Sequence, residues 1–393
     1  MAARRIGVEV VVGSNRRQVL EDYSHGGTLT LNFRDTEIGT QQIVDYAKEH
    51  ALEAIVSVDD ETLVLAAKAS SVLGLPHNSL ESIFSIRNKF RMREKIFKAG
   101  LPSPEFHLFS IHKNPEQLSS QVNFPCVLKP TFLAASRGVI RANHPKEFKQ
   151  AFHRIKSILK DPEVKSLGGE SADEILVEDY IPGQEVALEG LMMKGELQVL
   201  ALFDKPDPLE GPFFEETIYV TPSRLPPFVQ EQVVQNIFRS AQALGLMEGP
   251  IHAELRFNEN GSWLVELSPR TIGGLCSRTL RFGTGLTLEE IVLRHALRLP
   301  INSMEREKKA SGVMMIPIPK SGILKKITGK EKAKKVLGVE EVSFLIPTGQ
   351  QVISLPEGHR YLGFIFARGE TPAQVESSLR EAHRNLEILI DPA

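Results

Sequence analysis

The stretch GPIHAELRFNENGSWLVELSPRTIGG, residues 249–274, leaves this chain few ways to fold. Residues 251–257 alternate, with Ile251, Ala253, Leu255 and Phe257 on one face and His252, Glu254 and Arg256 on the other. A period of two predicts a β-strand. Asn260-Gly261 then marks a hairpin turn, because both residue types tolerate positive φ. Residues 263–267 return and put Glu266 on the strand adjacent to Glu254, and Arg270 follows four residues later. Two carboxylates held close in apolar surroundings require a partner. Oxygen-only ligation suits Mg²⁺, which is held by one or two carboxylates plus substrate phosphates. The same residues also allow a plainer arrangement, with solvent-facing glutamates ion-paired to Arg256 and Arg270.

At 393 residues the chain exceeds one ordinary core, and about two or three domains are expected. Apolar content of 41% and charged content of 24% are those of a soluble globular protein. A net charge of −2 gives no electrostatic reason to expect nucleic acid or a membrane surface as partner. Cys126 and Cys276 stand far apart, which argues against a disulfide framework or a zinc site and fits a reducing cytoplasm. No apolar run approaches the roughly 18 residues of a membrane-crossing helix. The opening MAARRIGVEVVVGSNRR superficially resembles a signal peptide, but Glu9 interrupts the apolar segment and Arg16-Arg17 closes it. It reads as a β-strand.

Strands over residues 8–12, 28–33 and 54–58, alternating with helices over 39–50 and 62–73, predict a parallel αβ layer that ends near residue 86. No Gly-rich fingerprint follows a strand there, which disfavours a dinucleotide-binding oxidoreductase. Residues 88–99 form a basic helix carrying Lys89, Arg91, Arg93, Lys95 and Lys98, either a solvated face or one turned to a polyanion. In FPCVLKP, residues 124–130, Lys129 sits among apolar neighbours; it snorkels outward or reaches a buried anion. Residues 134–139 are small, with Ser136 and Gly138, and such a loop lets backbone N–H groups approach phosphate oxygens.

An amphipathic helix is expected over 145–159 and a mobile polar loop over 161–174. Glu178 and Glu185 bracket a Pro-Gly turn, and the 179–181 linker between them offers backbone groups to a planar heterocycle or belongs to an ordinary hairpin. Residues 186–193 and 197–204 read as a second hairpin, and 205–226 as a long Pro-rich, acidic loop suited to substrate contact. A helix over 228–244 leads into the 249–274 hairpin, and another follows over 286–297. After the charge-dense linker 303–311 come strands over 312–318, 341–346 and 361–368 and a helix over 372–388, a small α+β unit. The expected division is 1–86, 87–302 with a lid over about 125–190, and 303–393.

The ordered set Asn88-Lys89-x-x-x-Arg93, Phe-Pro-x-Val-x-Lys-Pro at 124–130, Ala-x-Ser-x-Gly-Val at 134–139, Val-Glu-x-Tyr-Ile-x-Gly-x-Glu-Val at 177–186, Gly-Pro-Ile-His-x-Glu at 249–254 and Val-Glu-x-x-Pro-Arg-x-x-Gly-Gly at 265–274 resembles the ATP-grasp superfamily of carboxylate–amine ligases. Within it the chain is most similar to the biotin-carboxylase-like group containing the bacterial L-amino-acid ligases. The resemblance implies an ATP-grasp fold with an N-terminal parallel αβ domain and a small C-terminal α+β domain. It implies that Lys89 and Lys129 grip ATP phosphates and that Ser136, Arg137, Gly138 and Val139 close over them. Glu178 with the backbone of Tyr180 and Ile181 would take the adenine, and Glu185 the ribose. Glu254 and Glu266 would bind Mg²⁺ or Mn²⁺, and Arg270 with the backbone at Gly273 and Gly274 would stabilise the acyl-phosphate and tetrahedral states.

Two departures stand out. Ser268 occupies a position where many members have Asn, which invites Glu216 into the metal shell. The family's opening strand, Gly-rich turn and helix do not precede Val8, so the N-terminal domain reads as shortened at its start. The resemblance implies a cytoplasmic ATP-dependent ligase joining an amino acid to an amine, with homodimers frequent in the superfamily. The alternatives are a purine-pathway enzyme acting on a phosphoribosyl substrate, served by Arg278 and Arg281, and an ATP-binding protein without catalysis.

Overall fold

The structure, a computed structural model, describes residues 1–15, 27–283 and 285–392; Arg16 and Arg17 lie outside them. The chain opens with a short helix α1 (Ala2–Ile6), stopped by Gly7 at φ 71°. Strands β1 (Val12–Ser14) and β2 (Thr28–Thr30) pair in parallel. Asp35 caps α2 (Thr36–Glu49) by accepting from the Glu37 and Ile38 amides. Helix α3 (Leu63–Leu73) packs Leu65 and Ala69 against Ile43 and Leu31.

The parallel layer is thus smaller than expected. Residues 8–11 are irregular, so the strand expected there begins only at Val12. Residues 54–58 belong to no strand, and Val58 is 76% exposed. A β-branched run has the same sequence signature whether or not a neighbouring strand lies beside it, which is why pattern alone misplaced this element.

After α4 (Leu80–Arg87), Asn88 caps α5 (Lys89–Lys98) by accepting from the Phe90 and Arg91 amides. A small antiparallel sheet then takes β3 (Phe106–Ser110), β4 (Cys126–Pro130), β5 (Ile140–Ala142) and β6 (Glu174–Asp179) in the order β3-β6-β4-β5. Helix α6 (Pro115–Leu118) follows β3, and α7 (Pro145–Leu159) covers the sheet with the expected stripe of Phe148, Phe152 and Ile155, extended by Leu159, against Cys126, Leu128 and Val177. Phe152 is fully buried. Phe152→Ala should cost about 3–5 kcal/mol, read as a lower guanidinium midpoint; an unchanged midpoint would mean the stripe does not seal this core.

The loop expected over 161–174 is instead α8 (Pro162–Gly168) and a 3₁₀ turn. Asp161 accepts from the Glu163 and Val164 amides and Pro162 fills the first turn, so the start signals outweigh the two glycines.

The remaining chain builds an eight-stranded sheet. Its strands include β7 (Gln184–Met193), β8 (Glu196–Asp204) and β9 (Ile218–Thr221), the last forming within the segment expected to be a loop. Helix α9 (Pro227–Ala243) precedes β10 (Glu248–Asn258) and β11 (Gly261–Ser268), the expected hairpin. Helix α10 (Leu288–Ala296) leads to β12 (Ala310–Ile316). Then come β13 (Gly322–Thr328), α11 (Lys330–Lys334), β14 (Val339–Phe344), β15 (Gln351–Val352), β16 (Gly363–Gly369), α12 (Pro372–Arg384) and β17 (Glu387–Asp391). The large sheet runs β11-β10-β7-β8-β9-β12-β16-β14, so β9–β12 pairing carries it across residue 303; β15-β13-β17 forms a separate sheet. Val233, Ile237 and Ala241 of α9 pack on Ile251, Ala253 and Leu255, which turns His252, Glu254 and Arg256 to the opposite face. Among the described residues no helix is long and apolar enough to cross a membrane.

Candidate active site

Antiparallel pairing arranges the polar face of β7, β10 and β11 in rows. Glu189, His252 and Ser268 oppose one another in one row, Ala187, Glu254 and Glu266 in the next, and Glu185 opposes Arg256 in a third. Residues two apart on a strand share a face, so all three rows point the same way. The expectation that Glu254 and Glu266 lie side by side is met by this register.

Glu185, Glu254 and Glu266 each meet an ammonium. Lys205, buried just beyond β8, lies 2.6 Å from Glu185, 2.5 Å from Glu216 and 3.2 Å from Glu254. Oxygens of those three glutamates lie within 4.8 Å of one another, a cluster that excludes Glu266. Glu266 instead takes Lys89 Nζ at 3.0 Å, and the same ammonium donates to the Leu133 carbonyl at 2.8 Å. Tyr219 donates to Glu254 at 3.2 Å, and Arg256 Nε pairs with Glu185 at 2.8 Å. Burial works against the Glu254 anion, yet Lys205 and His252 hold its carboxyl well below the usual range. Glu216, by contrast, is pushed up to about 7 by burial and by the Glu254 charge beside it, with Lys205 opposing. Burial also works against the Lys205 ammonium, but the surrounding glutamates raise it well above its ordinary value. The donor set that the structure brings together, Glu185, Glu216 and Glu254, is carboxylate oxygen throughout and fits a hard divalent cation, and Glu266 faces Glu254 across the hairpin.

A second buried centre joins the small sheet to α5. Lys129 pairs with Glu178 Oε2, and Arg93 Nε with Glu178 Oε1 at 2.5 Å. Arg93 is fully buried and also donates to the Leu264 carbonyl at 2.6 Å and the Val265 carbonyl at 3.1 Å, tying α5 to β11. Burial raises the Glu178 carboxyl, but Arg93 and Lys129 outweigh it and hold the group at about 2. The basic helix is divided: Lys89 and Arg93 face inward to Glu266 and Glu178, while Arg91 and Lys98 are exposed.

Arg270 follows β11, and its Nη2 meets Asp60 Oδ2 at 2.5 Å; Asp60 Oδ1 accepts from the Ser268 hydroxyl at 2.6 Å. Asp60 sits in a 3₁₀ turn capped by Asp59. Burial works against the Asp60 anion, and Arg270 and Ser268 keep its carboxyl lowered. Gly273 and Gly274 are exposed beside this arginine. Gly274 has φ 62°, and a Cβ there would fall 2.9 Å from the Phe364 ring, so the turn and the close approach both call for glycine.

Residues 136–139 form a tight turn, with Ser136 at φ 54° and Gly138 at φ 74°. The Gly138 amide donates to the Pro356 carbonyl at 2.9 Å, and Arg137 Nε to the Glu357 carbonyl at 2.9 Å. Val139 N donates back to Ser136 O at 3.1 Å. In the 179–181 linker the Tyr180 amide donates to Pro125 O at 2.9 Å and the Ile181 carbonyl accepts from Arg256 Nη1 at 2.8 Å. Those two backbone groups are engaged within the chain. Cys126 and Cys276 are buried and unpaired, and burial pushes the Cys126 thiol up to about 12.

Sequence reasoning passed over Asp60, Glu189, Lys205 and His252. Each carried a signal: an acidic run after an apolar segment, a lone carboxylate inside the apolar run of β7, a lysine directly after a strand, and an imidazole on the same strand face as Glu254. The strand pairing and the side-chain contacts of Asp60 and Lys205 bring these signals together.

Family models match three stretches of the chain: ATP-grasp N-terminal domain over residues 1–77, ATP-grasp domain over 122–279, and L-amino acid ligase C-terminal domain 2 over 314–391. Alanine–anticapsin ligase of Bacillus subtilis (strain 168) is 26% identical over 307 residues, covering 74% of this chain and 64% of that relative. The chain thus matches just under two-thirds of that relative's length. The crystal structure of L-amino acid ligase from Bacillus licheniformis superposes with a TM-score of 0.83 at 26% identity, over 99% of this chain and 95% of that one. N5-carboxyaminoimidazole ribonucleotide synthetase from Thermotoga maritima shares the fold, with a TM-score of 0.72 at 17% identity over 99% and 95% of the two chains.

Proposed function

We propose that this chain, a member of the ATP-grasp superfamily, is an ATP-dependent ligase that activates a carboxylate as an acyl-phosphate and joins it to an amine, an amino acid in each role, with release of ADP and phosphate. The observation that carries the reading is the polar face of β7, β10 and β11, where Glu254 and Glu266 stand opposed beside Lys205 and Lys89. Amide formation from a carboxylate at neutral pH needs an activated acyl group, and phosphoryl transfer to the carboxylate supplies one. That transfer demands positioned charge rather than a covalent protein nucleophile.

The chain's residues fit those roles. Lys89 and Lys129 reach the phosphates once they exchange their carboxylate partners for phosphate oxygens. Residues 136–139 cover the phosphates, with the Gly138 amide turning from Pro356 to a phosphate oxygen. Glu178, the Tyr180 carbonyl and the Ile181 amide receive the adenine, and Glu185 the ribose. Glu254, Glu266 and Glu216 hold the divalent cation, which neutralises phosphate charge when bound. Arg270, held by Asp60, faces the oxygen that gains charge as the acyl carbon is attacked, with Gly273 and Gly274 leaving their backbone open to it.

A phosphoribosyl substrate would need free basic groups near the acceptor site. Arg278 and Arg281 instead face Glu341 at 3.1 Å and Glu340 at 3.6 Å, which does not favour that reading. A protein that only bound ATP would have no need to keep the opposed glutamates together with Arg270. Cytoplasmic location and a homodimer remain compatible with a ligase of small molecules and belong to the same proposal.

The test is Mg²⁺-dependent phosphate release from ATP across amino acids supplied singly and in pairs, with Glu266→Ala alongside. Release that requires two amino acids and disappears in the variant is expected. Release that is indifferent to amino acids, or equal in the variant, would overturn the reading.

A further inference from the structure

Glu189 lies on β7 at a position where every neighbour along the strand from Val186 to Met192 is apolar or glycine, and it is 1% exposed. A carboxylate in such a place needs its lone pairs filled. Both oxygens are used: Oε1 meets His252 Nδ1 at 2.5 Å, and Oε2 accepts from the Ile272 amide at 3.1 Å. The other imidazole nitrogen, His252 Nε2, faces Glu254 Oε1 at 3.3 Å. Both ring nitrogens therefore face carboxylate oxygens, which fixes the ring between the two glutamates. The result is a continuous chain from the Ile272 amide through Glu189 and His252 to Glu254.

The far end of the same row is anchored as well. Ser268, opposite His252 on β11, donates to Asp60, and Asp60 holds Arg270. The segment after β11 is thus pinned on both sides of Thr271, at Arg270 by Asp60 and at Ile272 by Glu189. The Glu189 side continues through His252 to Glu254, a carboxylate of the cation cluster.

We infer that Glu189 and His252 are positioning residues that couple the placement of the Arg270–Gly274 segment to cation binding at Glu254. The inference rests on the ligase reading for the identity of the cation site. His252 fixes the Glu254 carboxylate, as the outer hydrogen-bond partners of metal ligands do, and loss of such a partner typically costs about 10–100-fold in metal affinity or activity. Glu189 transmits that fixed position to the Ile272 backbone.

The experiment uses the full chain and Mn²⁺ with a non-hydrolysable ATP analogue, followed by titration calorimetry and by the Mn²⁺ spin-resonance signal. Two substitutions separate the ring nitrogens. His252→Gln puts an amide near the Nε2 position and keeps a donor for Glu254, whereas His252→Asn puts it near Nδ1 and keeps only the Glu189 contact. Mn²⁺ affinity should fall at least tenfold further in the Asn variant than in the Gln variant. Glu189→Gln should lower kcat for phosphate release at saturating metal by tenfold or more, with Glu189→Asp recovering part of the loss. A purely structural role would instead lower melting temperature, metal affinity and kcat in parallel in all four variants. Equal Mn²⁺ affinities in the two His252 variants, or that parallel pattern, would overturn the inference and leave the ligase reading standing. Failure of the wild-type chain to bind Mn²⁺ with the nucleotide would remove both.

Discussion

Glu178→Gln is expected to destabilise the folded chain by about 3–5 kcal/mol, because it strips the shared counter-ion from two buried cations, Lys129 and Arg93. Breaking a buried ion pair from one side costs far more than the pair contributes, since the remaining charge keeps its desolvation penalty. Here two charges are left, and the glutamine carbonyl can accept from them without neutralising either. The pH dependence has a definite sign. The folded-state carboxyl is held at about 2, below its ordinary 4.5, so the folded state favours the ionised form. The stabilisation is complete above about pH 4.5 and is lost as pH falls from there through 2. Wild-type stability should therefore drop across that window more steeply than that of the glutamine variant. Denaturant midpoints for both proteins between pH 2 and 7 give the comparison. Midpoints within about 1 kcal/mol of each other at pH 7, or parallel acid limbs, would show that Arg93 and Lys129 do not depend on Glu178.

The same centre shows what a sequence can and cannot reveal. Lys129 announces itself as a charged residue among apolar neighbours, and Glu178 as a carboxylate beside a Pro-Gly turn. Arg93 was legible only as one basic residue of a helix, four positions after Lys89, and nothing local says that it is the inward one. Its partners Glu178 and Leu264 lie 85 and 171 positions away. Contacts of that span are set by topology, which periodicity does not encode. Where the governing interactions are short in range, reading was accurate: the Asn260-Gly261 turn, the α7 stripe and the β7–β8 hairpin all stand where they were expected.

The failures have the same cause in reverse. Residues 54–58 carry strand propensity but have no ladder partner, and propensity records only how well a residue would suit a sheet. Residues 161–174 were read through their glycines, although Asp161-Pro162 is a helix start; the cap and the fixed proline φ prevail for about two turns until Gly169 ends the helix at φ 53°. In the site, the facing pair Glu254 and Glu266 was legible because a hairpin makes register a local property. The cluster of Glu185, Glu216 and Lys205 was not, because it needs β7, β8 and the segment before β9 to meet. Asp60 was not legible as a site residue, because its contribution depends on a contact spanning 210 positions.

That contact carries the second large effect. Arg270→Ala should lower kcat for amino-acid-dependent phosphate release by about 10²–10³-fold, the usual cost of removing one donor aimed at charge that develops in the transition state. Because such an interaction is made chiefly in the transition state, kcat and kcat/KM should fall together while KM for ATP stays near its wild-type value. Asp60→Asn separates the arginine's charge from its placement. Asparagine can still accept one hydrogen bond but removes the counter-ion that burial makes necessary beside Arg270 and Ser268. With that anchor gone, Arg270 keeps its charge and loses its fixed direction, so the Asn variant should be slower than wild type and faster than Arg270→Ala. In the double variant the Asp60 change should add nothing, since an anchor without its arginine has nothing to place. Steady-state rates for the four proteins complete the cycle. Additive losses would mean that Asp60 acts on the reaction independently of Arg270. A fall in ATP affinity without loss of kcat would mean that the arginine grips the ground-state nucleotide rather than the reacting centre.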